Sequence, residues 1–253
     1  MRRLLLVLAG AMLLAQSASA ETADEIIARY VKSSGGIEKI RAIESLRRSG
    51  RSIRGGGLES PFTQENKRPL QVREETTRAG QTGVVAFDGQ SGWKISPWQG
   101  KKDPEPLNEM ELKTVVDDAD FDGPLIDAAK KGEKVDYLGK DDFEGTDVYK
   151  LRVTIPNGSV HTYYLDAETC VPLKIETKRI VRGAEREFET VLGNYKPVAG
   201  WMLPYWTEVG IKGNPDKRQF VFDTIEANVP LDADTFRMPA VPAVAGTPKG
   251  TTR

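Results

Sequence analysis

The clearest pattern in this chain is an alternation of apolar and polar side chains in its second half. In the run 149–155, apolar side chains occupy every second position: Tyr149, Leu151, Val153 and Ile155. Because successive side chains of a strand point to opposite faces of a sheet, this run predicts a strand with one buried and one charged face. Asn157-Gly158 follows, a dipeptide typical of a tight hairpin. Similar runs with short connections continue to residue 229, which predicts an antiparallel meander.

The chain after residue 20 begins with helical periodicity. Thr22 and Glu25 have the spacing of a capping box, in which a hydroxyl and a carboxylate satisfy backbone amides at a helix start. The apolar residues that follow share one helical face: Ile26, Ile27, Tyr30 and Val31. Gly35-Gly36 would end this helix, and residues 37–46 predict a second short helical turn.

The first half of the chain is less regular than the second. It predicts strands near 46–54, 58–65, 70–77, 82–88 and 92–96. The strand pattern then stops, and the sequence predicts a helix near 107–117 and a loop or short helix near 124–131.

Together these elements predict a mainly β protein with covering helices (α+β), built on one curved antiparallel sheet. One face of the sheet carries alternating charged residues and would face water. The other face needs a cover, and the helical stretches are few for so long a sheet. Either the helices fill the concave face completely, or they leave an apolar hollow of the kind that binds hydrophobic ligands.

The start of the chain has the features of an export signal. Arg2 and Arg3 precede an apolar run at 4–14, and residues 18–20 have the small-x-small pattern that signal peptidase cleaves. We therefore expect residues 1–20 to be a cleaved signal peptide. No cysteine lies near the cleavage position, so we expect no lipid anchor of the bacterial lipoprotein type.

The rest of the chain shows no repeat and no domain linker. We expect a single domain over residues 21–239, followed by a disordered tail at 240–253 that is rich in proline and small residues. No stretch after the signal approaches the length of a membrane-spanning helix, so we expect no transmembrane span.

Charge and cysteine content narrow the function classes. Removal of residues 1–20 leaves 34 basic and 37 acidic residues, a formal net charge of −3, which does not favour nucleic acid as a partner. Cys170 is the only cysteine, so no intrachain disulfide can form and packing must stabilise the exported chain.

Candidate catalytic and metal-binding patterns fail on inspection. His161 is the only histidine and lies far from Cys170 in sequence, which argues against a zinc site and against Ser-His or Cys-His catalysis. Residues 118–123 match the first six positions of an EF-hand loop, but Ala129 stands where the bidentate glutamate should be. We therefore expect no metal site and no enzyme activity.

The stretch VVAFDGQSGWKISPWQG at 84–100 contains an Asp-Gly turn and two tryptophans but no catalytic group at a useful spacing. It predicts a hairpin at the edge of the concave face. Its FDG…W…P pattern consists of Phe87, Asp88, Gly89, Trp93 and Pro97. This pattern resembles the LolA/LolB-like superfamily, in particular its outer membrane lipoprotein-sorting proteins.

Further segments carry the same resemblance over most of residues 22–239. They are GGIEKIRAIESLRRSG, DADFDGPLID, YLGKDDFEGTDVYKLRV, YYLDAETCVPLKIE, YKPVAGWMLPYW and NVPLDADTFRMP. The resemblance implies a half-open antiparallel barrel, capped by helices, with an apolar cavity for acyl chains. It also implies a periplasmic setting and no cofactor. The lipoprotein carrier of that family holds its lid with a cavity arginine, which cannot be assigned to a position in this sequence.

Two functions are consistent with these observations. The leading interpretation is a periplasmic binding or carrier protein that holds a lipid, or the acyl chain of a lipidated protein, without catalysis. The alternative is an envelope protein-interaction module or a lipid-sensing regulator that binds a protein partner. The candidate cavity-lining residues are Trp93, Trp98, Tyr163, Trp201 and Phe220, each of which could equally be an ordinary core residue.

Overall fold

A computed structural model describes residues 21–181 and 183–240. The predicted signal peptide at 1–20 and nearly all of the predicted tail at 240–253 lie outside the described residues. The assignment of 21–239 to a single domain stays a prediction.

Within residues 21–181 and 183–240 the fold is built on one sheet of 13 antiparallel strands. Their bounds are Ser45–Arg54 (β1), Leu58–Lys67 (β2), Gln71–Arg78 (β3), Gln81–Phe87 (β4), Gly92–Ser96 (β5), Lys101–Pro106 (β6), Lys134–Phe143 (β7), Thr146–Thr154 (β8), Val160–Asp166 (β9), Pro172–Val181 (β10), Ala184–Val198 (β11), Trp201–Ile211 (β12) and Arg218–Ala227 (β13). The predicted strands of the first half agree with these bounds to within two residues.

The strand order joins two meanders, one from each half of the chain. It runs β6-β5-β4-β3-β2-β1-β13-β12-β11-β10-β9-β8-β7, so the first and last strands meet in the middle. At this seam Gly50 is required, because a Cβ there would lie 2.0 Å from the carbonyl oxygen of Val221. In the described part of the chain β6 and β7 are edges that do not pair, so the sheet is a curved half-barrel that does not close.

In the part of the chain that the structure describes, three α-helices accompany the sheet: Ala23–Ser33 (α1), Ile37–Arg41 (α2) and Glu109–Ala119 (α3). The capping box predicted for α1 is confirmed, since Thr22 Oγ1 accepts from the backbone of Glu25 and the Glu25 carboxylate accepts from the backbone of Thr22. Asn108 and Glu111 form a second capping box, which places the start of α3 two residues later than predicted.

The main core fills one end of the concave face. There α1, α2 and the turns at 120–132 pack on the sheet around Ile26, Ile40, Leu151 and Trp201. The turn segment is held by Arg68, which donates to Asp122 at 2.5 and 2.8 Å and to the carbonyls of Ile40 and Ile43. The main core therefore occupies this end of the concavity.

Among the described residues, α3 is the helix that covers the other end of the concave face. Val115 and Ala119 of α3 pack on Val72 and Phe87 of the sheet, which fixes the helix along one side. The cover is incomplete, so the helices fill only part of the hollow. No helix in residues 21–181 and 183–240 is long and apolar enough to cross a membrane.

Candidate ligand-binding cavity

A cavity of about 770 Å³ lies between α3 and the concave face of the sheet. Its volume falls within the range of about 300–1,000 Å³ that is usual for small-molecule sites. The apolar residues that line it are Phe62, Val85, Leu107, Met110, Val115, Phe188, Pro204, Val209, Phe220 and Phe222. The cavity is thus the part of the concavity that the helices do not fill.

Three of the phenylalanines form a continuous aromatic wall across the β1–β13 seam. The Phe62 ring centroid lies 4.7 Å from that of Phe220 and 6.3 Å from that of Phe222. Phe220 and Phe222 are two residues apart on β13, and so they share one face of the strand, with centroids 6.5 Å apart. Such a wall can bury hydrocarbon without any rearrangement of the sheet.

Charged side chains interrupt this apolar surface: Arg48, Glu74, Lys94, Glu111, Asp118, Arg179 and Arg218. Arg48 donates to the amide oxygens of Gln64 and Asn66, each at 2.8 Å, and has no carboxylate within salt-bridge distance among the described residues. Burial lowers the pKa of Arg48 to about 10, so the side chain is still a cation at neutral pH. The cavity therefore contains a fixed positive charge held by neutral partners.

Two carboxyl groups face the same space. Burial raises the pKa of Glu74, which accepts a hydrogen bond from Gln64 at 2.7 Å. Asp118 of α3 also lines the cavity. Removal from bulk water, together with the nearby charges of Glu74 and Asp117, raises the pKa of Asp118 well above its ordinary value.

Polar contacts hold α3 over the cavity from two sides. Lys94 of β5 lies 2.5 Å from Glu111 of α3. From β10, Arg179 donates to Thr114 at 2.9 Å and lies 3.5 Å from Asp117. Because few apolar contacts fix α3, these ion pairs position the cover of the cavity.

A second pocket of about 180 Å³ adjoins the cavity. The two spaces share Glu74, Val85 and Arg218 in their walls. The smaller pocket is further lined by Arg54, Arg78, Thr76, Gly83, Val84, Ile95, Ser96 and Trp98. It lies where the hairpins formed by β1–β2, β3–β4 and β5–β6 turn.

The structure places two of the five predicted lining residues at these spaces. Phe220 lines the large cavity, and Trp98 lines the adjoining pocket, with the guanidinium of Arg78 4.8 Å from its ring centroid. Trp98 covers Gly83, where a Cβ would lie 2.2 Å from the indole. The predicted hairpin at 84–100 is therefore next to the cavity.

Trp93 lies on the opposite face of the sheet. Its neighbour Lys94 and the paired residue Val85 line the cavity, and adjacent strand residues point to opposite faces. Trp93 packs with Ala86 instead, and its indole nitrogen donates to the carbonyl of Phe236 at 2.7 Å. The C-terminal segment thus covers a second, outer apolar layer.

Tyr163 and Trp201 belong to the main core beneath α1 and α2. Neither lines the cavity, because the helices and the turns at 120–132 occupy the concave face above them. The cavity is also lined by three aromatic residues that were not among the predicted ones: Phe62, Phe188 and Phe222. The sequence does contain a signal for them. Arg218, Phe220 and Phe222 occupy every second position of β13, so one face of this strand carries both charged and apolar side chains.

The acidic residues of the calcium-like segment form ion pairs, and the cysteine is buried. Asp120 pairs with Lys131 and Asp122 with Arg68, in the segment that resembled a calcium loop. No cluster of potential metal ligands occurs in the described ranges. Cys170 is buried, and burial raises the pKa of its thiol.

Comparison with known proteins identifies the architecture. No family model matches the sequence, and no curated protein matches it. A LolA superfamily protein from Nitrosomonas europaea superimposes with a TM-score of 0.58 at 14% identity, covering 86% of this chain and 98% of that chain. The protein has a LolA-like fold.

Two further solved structures share this LolA-like fold. One, from Vibrio parahaemolyticus, is described as an outer membrane lipoprotein-sorting protein domain; its TM-score is 0.57 at 13% identity, over 84% of this chain and 94% of that chain. The other is a DUF1329 family protein from Desulfovibrio piger, with a TM-score of 0.56 at 12% identity, over 85% and 96% of the respective chains. The expected fold class is confirmed.

Proposed function

We propose that this protein binds a lipid, or the acyl chain of a lipidated protein, in the cavity between α3 and the sheet, and carries it without catalysing a reaction. The observation that supports this most directly is the aromatic wall of Phe62, Phe220 and Phe222 facing about 770 Å³ of space. Each buried methylene is worth about 0.8 kcal/mol, so six methylenes would contribute about 5 kcal/mol to binding.

The setting proposed for this function is the periplasm. The export signal expected at residues 1–20 supports it, as does the lipoprotein-sorting description of a structurally similar domain. The carrier would take up its ligand from one envelope component and release it to another.

Extraction of ligands from the purified protein tests this proposal. The protein is isolated from the envelope fraction of an expressing bacterium, and bound lipids are identified by mass spectrometry. We expect lipid at up to one molecule per chain, and reloading of delipidated protein with the same lipid. Protein that contains no lipid and does not take up the added lipid would contradict the proposal. Capture of an envelope protein irrespective of lipid would favour an interaction module instead.

A further inference from the structure

The smaller pocket next to the cavity collects three arginines from three strands. Arg54 ends β1, Arg78 ends β3 and Arg218 begins β13. The register places Ile53 opposite Gln219, so Arg54 and Arg218 lie side by side at the seam. The antiparallel sheet thereby brings three cations to the end opposite that of α1 and α2.

These cations have no carboxylate partner in the ranges that the structure describes. Among the described residues, no carboxylate oxygen lies within 4.0 Å of the guanidinium nitrogens of Arg54, Arg78 or Arg218. The Nε atoms of Arg78 and Arg218 are buried and have no hydrogen-bond partner in the described part of the chain. Buried donors without acceptors are costly and therefore uncommon in folded proteins.

The arginines also repel one another. Burial lowers the pKa of both Arg78 and Arg218, and the nearby charge of Arg54 is the second cause for each. The pKa of Arg218 is lowered to about 10. Glu74 is the one acidic residue that the described chain contributes to the wall of the pocket. It accepts a hydrogen bond from Gln64, and burial raises its pKa. The pocket thus carries an excess of positive charge that an anion would neutralise.

The polar pocket and the apolar cavity meet at Arg218. Its guanidinium lies 4.4 Å from the Phe220 ring centroid and 5.5 Å from that of Phe62, and one terminal nitrogen donates to Thr76 at 3.2 Å. A molecule that occupies both spaces would therefore have an anionic end beside a hydrocarbon end. The pocket volume of about 180 Å³ is well above the volume of about 15 Å³ that a single water molecule needs.

We infer that Arg54, Arg78 and Arg218 form a head-group site for a phosphate or carboxylate whose hydrocarbon chain lies in the adjoining cavity. Guanidinium groups bind such oxyanions through paired, charge-assisted hydrogen bonds. The ligand class is an anionic single-chain or multi-chain amphiphile. This inference rests on the proposed function, because the chain of the ligand occupies the proposed acyl cavity.

A matched pair of ligands tests the inference: 1-lauroyl-glycerol-3-phosphate and 1-lauroyl-glycerol, which differ only in the phosphate. Binding of each to the purified protein is measured by calorimetry, together with inorganic phosphate alone. We expect the phosphorylated lipid to bind at least tenfold more tightly than the neutral one. Arg218→Gln, Arg78→Gln and Arg54→Gln should each reduce that preference by about tenfold.

Arg51→Gln is the matched control. Arg51 lies on β1, three residues before Arg54, but it pairs with Glu59 and Asp223 and lines neither space. The Arg51→Gln substitution removes the same charge from the same end of the sheet. It should leave the preference for the phosphorylated lipid unchanged. Unchanged binding of the neutral lipid by Arg54→Gln and Arg78→Gln, which lie outside the wall of the large cavity, shows that these two variants retain it.

The outcomes separate the two proposals. Equal affinity for both lipids, with no effect of the three arginine variants, would overturn the head-group site and leave the acyl cavity standing. Failure of both lipids to bind would overturn the proposed function as well. If inorganic phosphate binds as tightly as the phosphorylated lipid, the site takes a free anion, and the inference that it recognises an amphiphile is wrong.

Discussion

The guanidinium of Arg218 lies 4.4 Å from the centroid of the Phe220 ring, at the boundary between the large cavity and the arginine pocket. This contact places a cation directly at the end of an aromatic surface, where the ring face attracts it. Arg218 and Phe220 are two residues apart and lie on the same face of β13, so the strand itself sets their spacing. A ligand in this site meets hydrocarbon on one side and positive charge on the other.

The aromatic wall should contribute directly to ligand affinity. We expect Phe220→Ala to weaken the binding of a lauroyl lipid by about tenfold, because loss of a buried phenyl group removes at least about 1.5 kcal/mol of apolar burial. Isothermal titration measures the change. Phe143→Ala is the control, since this half-buried phenylalanine of β7 lines neither space. Equal affinities for the two variants would argue against the aromatic wall as the binding surface.

Trp93 should matter for stability and not for binding. Trp93→Phe removes the hydrogen bond from the indole to the Phe236 carbonyl and leaves that acceptor without its partner, on the face away from the cavity. We expect the free energy of unfolding in urea to fall by about 1–3 kcal/mol. Lipid affinity should stay within twofold of the original. A variant that unfolds normally but binds lipid poorly would show that this outer layer acts on the site.

Trp93 also shows how far the sequence could be interpreted. The alternation predicted β5 and its hairpin, but hydrophobicity alone does not tell which face of a two-sided strand meets a ligand. The answer depended on the C-terminal segment around Phe236, which covers the outer face through contacts distant in sequence. Sequence periodicity carries no information about such long-range cover.

The cavity itself could be foreseen only as an alternative. The few helices and the long sheet indicated a shortage of cover, and the structure shows that α1 and α2 fill one end while α3 leaves the other hollow. The charged lining could not be foreseen. Arg48 is flanked by Arg47 and Ser49, and Arg218 by Lys217 and Gln219, which is the pattern of a solvent-exposed strand segment. In the structure both arginines nevertheless line the cavity.

The single histidine should titrate far below its ordinary range. Burial, and then the charge of Arg179, lowers the pKa of His161 to about 4. Its Nδ1 lies 3.2 Å from the Thr177 hydroxyl, and its Nε2 is buried without a partner among the described residues. Because the chain has one histidine, its proton NMR signal can be followed against pH without ambiguity. A midpoint near 6.5 would contradict the buried placement.

The lowered pKa of His161 also predicts that the folded protein loses stability in acid. Between pH 6.5 and about 4, the unfolded chain binds a proton at His161 that the folded protein does not. The contribution of His161 to stability is therefore complete above pH 6.5 and is lost as the pH falls toward 4, by about 3 kcal/mol in all. His161→Gln should lack this component when urea unfolding is compared at pH 7 and pH 4.5. An identical pH dependence in the variant would refute the linkage.

Asp118 should make the stability of the protein depend on pH in the opposite direction to His161. Its pKa is raised in the folded protein, so the folded state binds a proton that the unfolded chain has released, and stability falls as the pH rises above about 4. We expect Asp118→Asn to be more stable than the original protein at pH 7, with the difference disappearing below pH 4. Urea unfolding across this range measures it.

Asp136→Asn provides the control for that experiment. Arg152, and after it Lys134, lowers the pKa of Asp136 on the exposed face of β7. This variant should lose a little stability at pH 7, since an exposed ion pair contributes little. If Asp118→Asn behaves in the same way as Asp136→Asn, the carboxyl of Asp118 is not held in the cavity.

The most direct test of the account is to fill the cavity and measure acyl binding. Thr207 lines the cavity opposite Phe220 in the β12–β13 register, whereas Thr224 of β13 is exposed and lines neither space. Titration of a lauroyl lipid into the original protein should show one site, which Thr207→Trp abolishes and Thr224→Trp leaves intact. Undiminished binding by Thr207→Trp, or no binding by the original protein, would contradict the claim that this hollow holds a lipid.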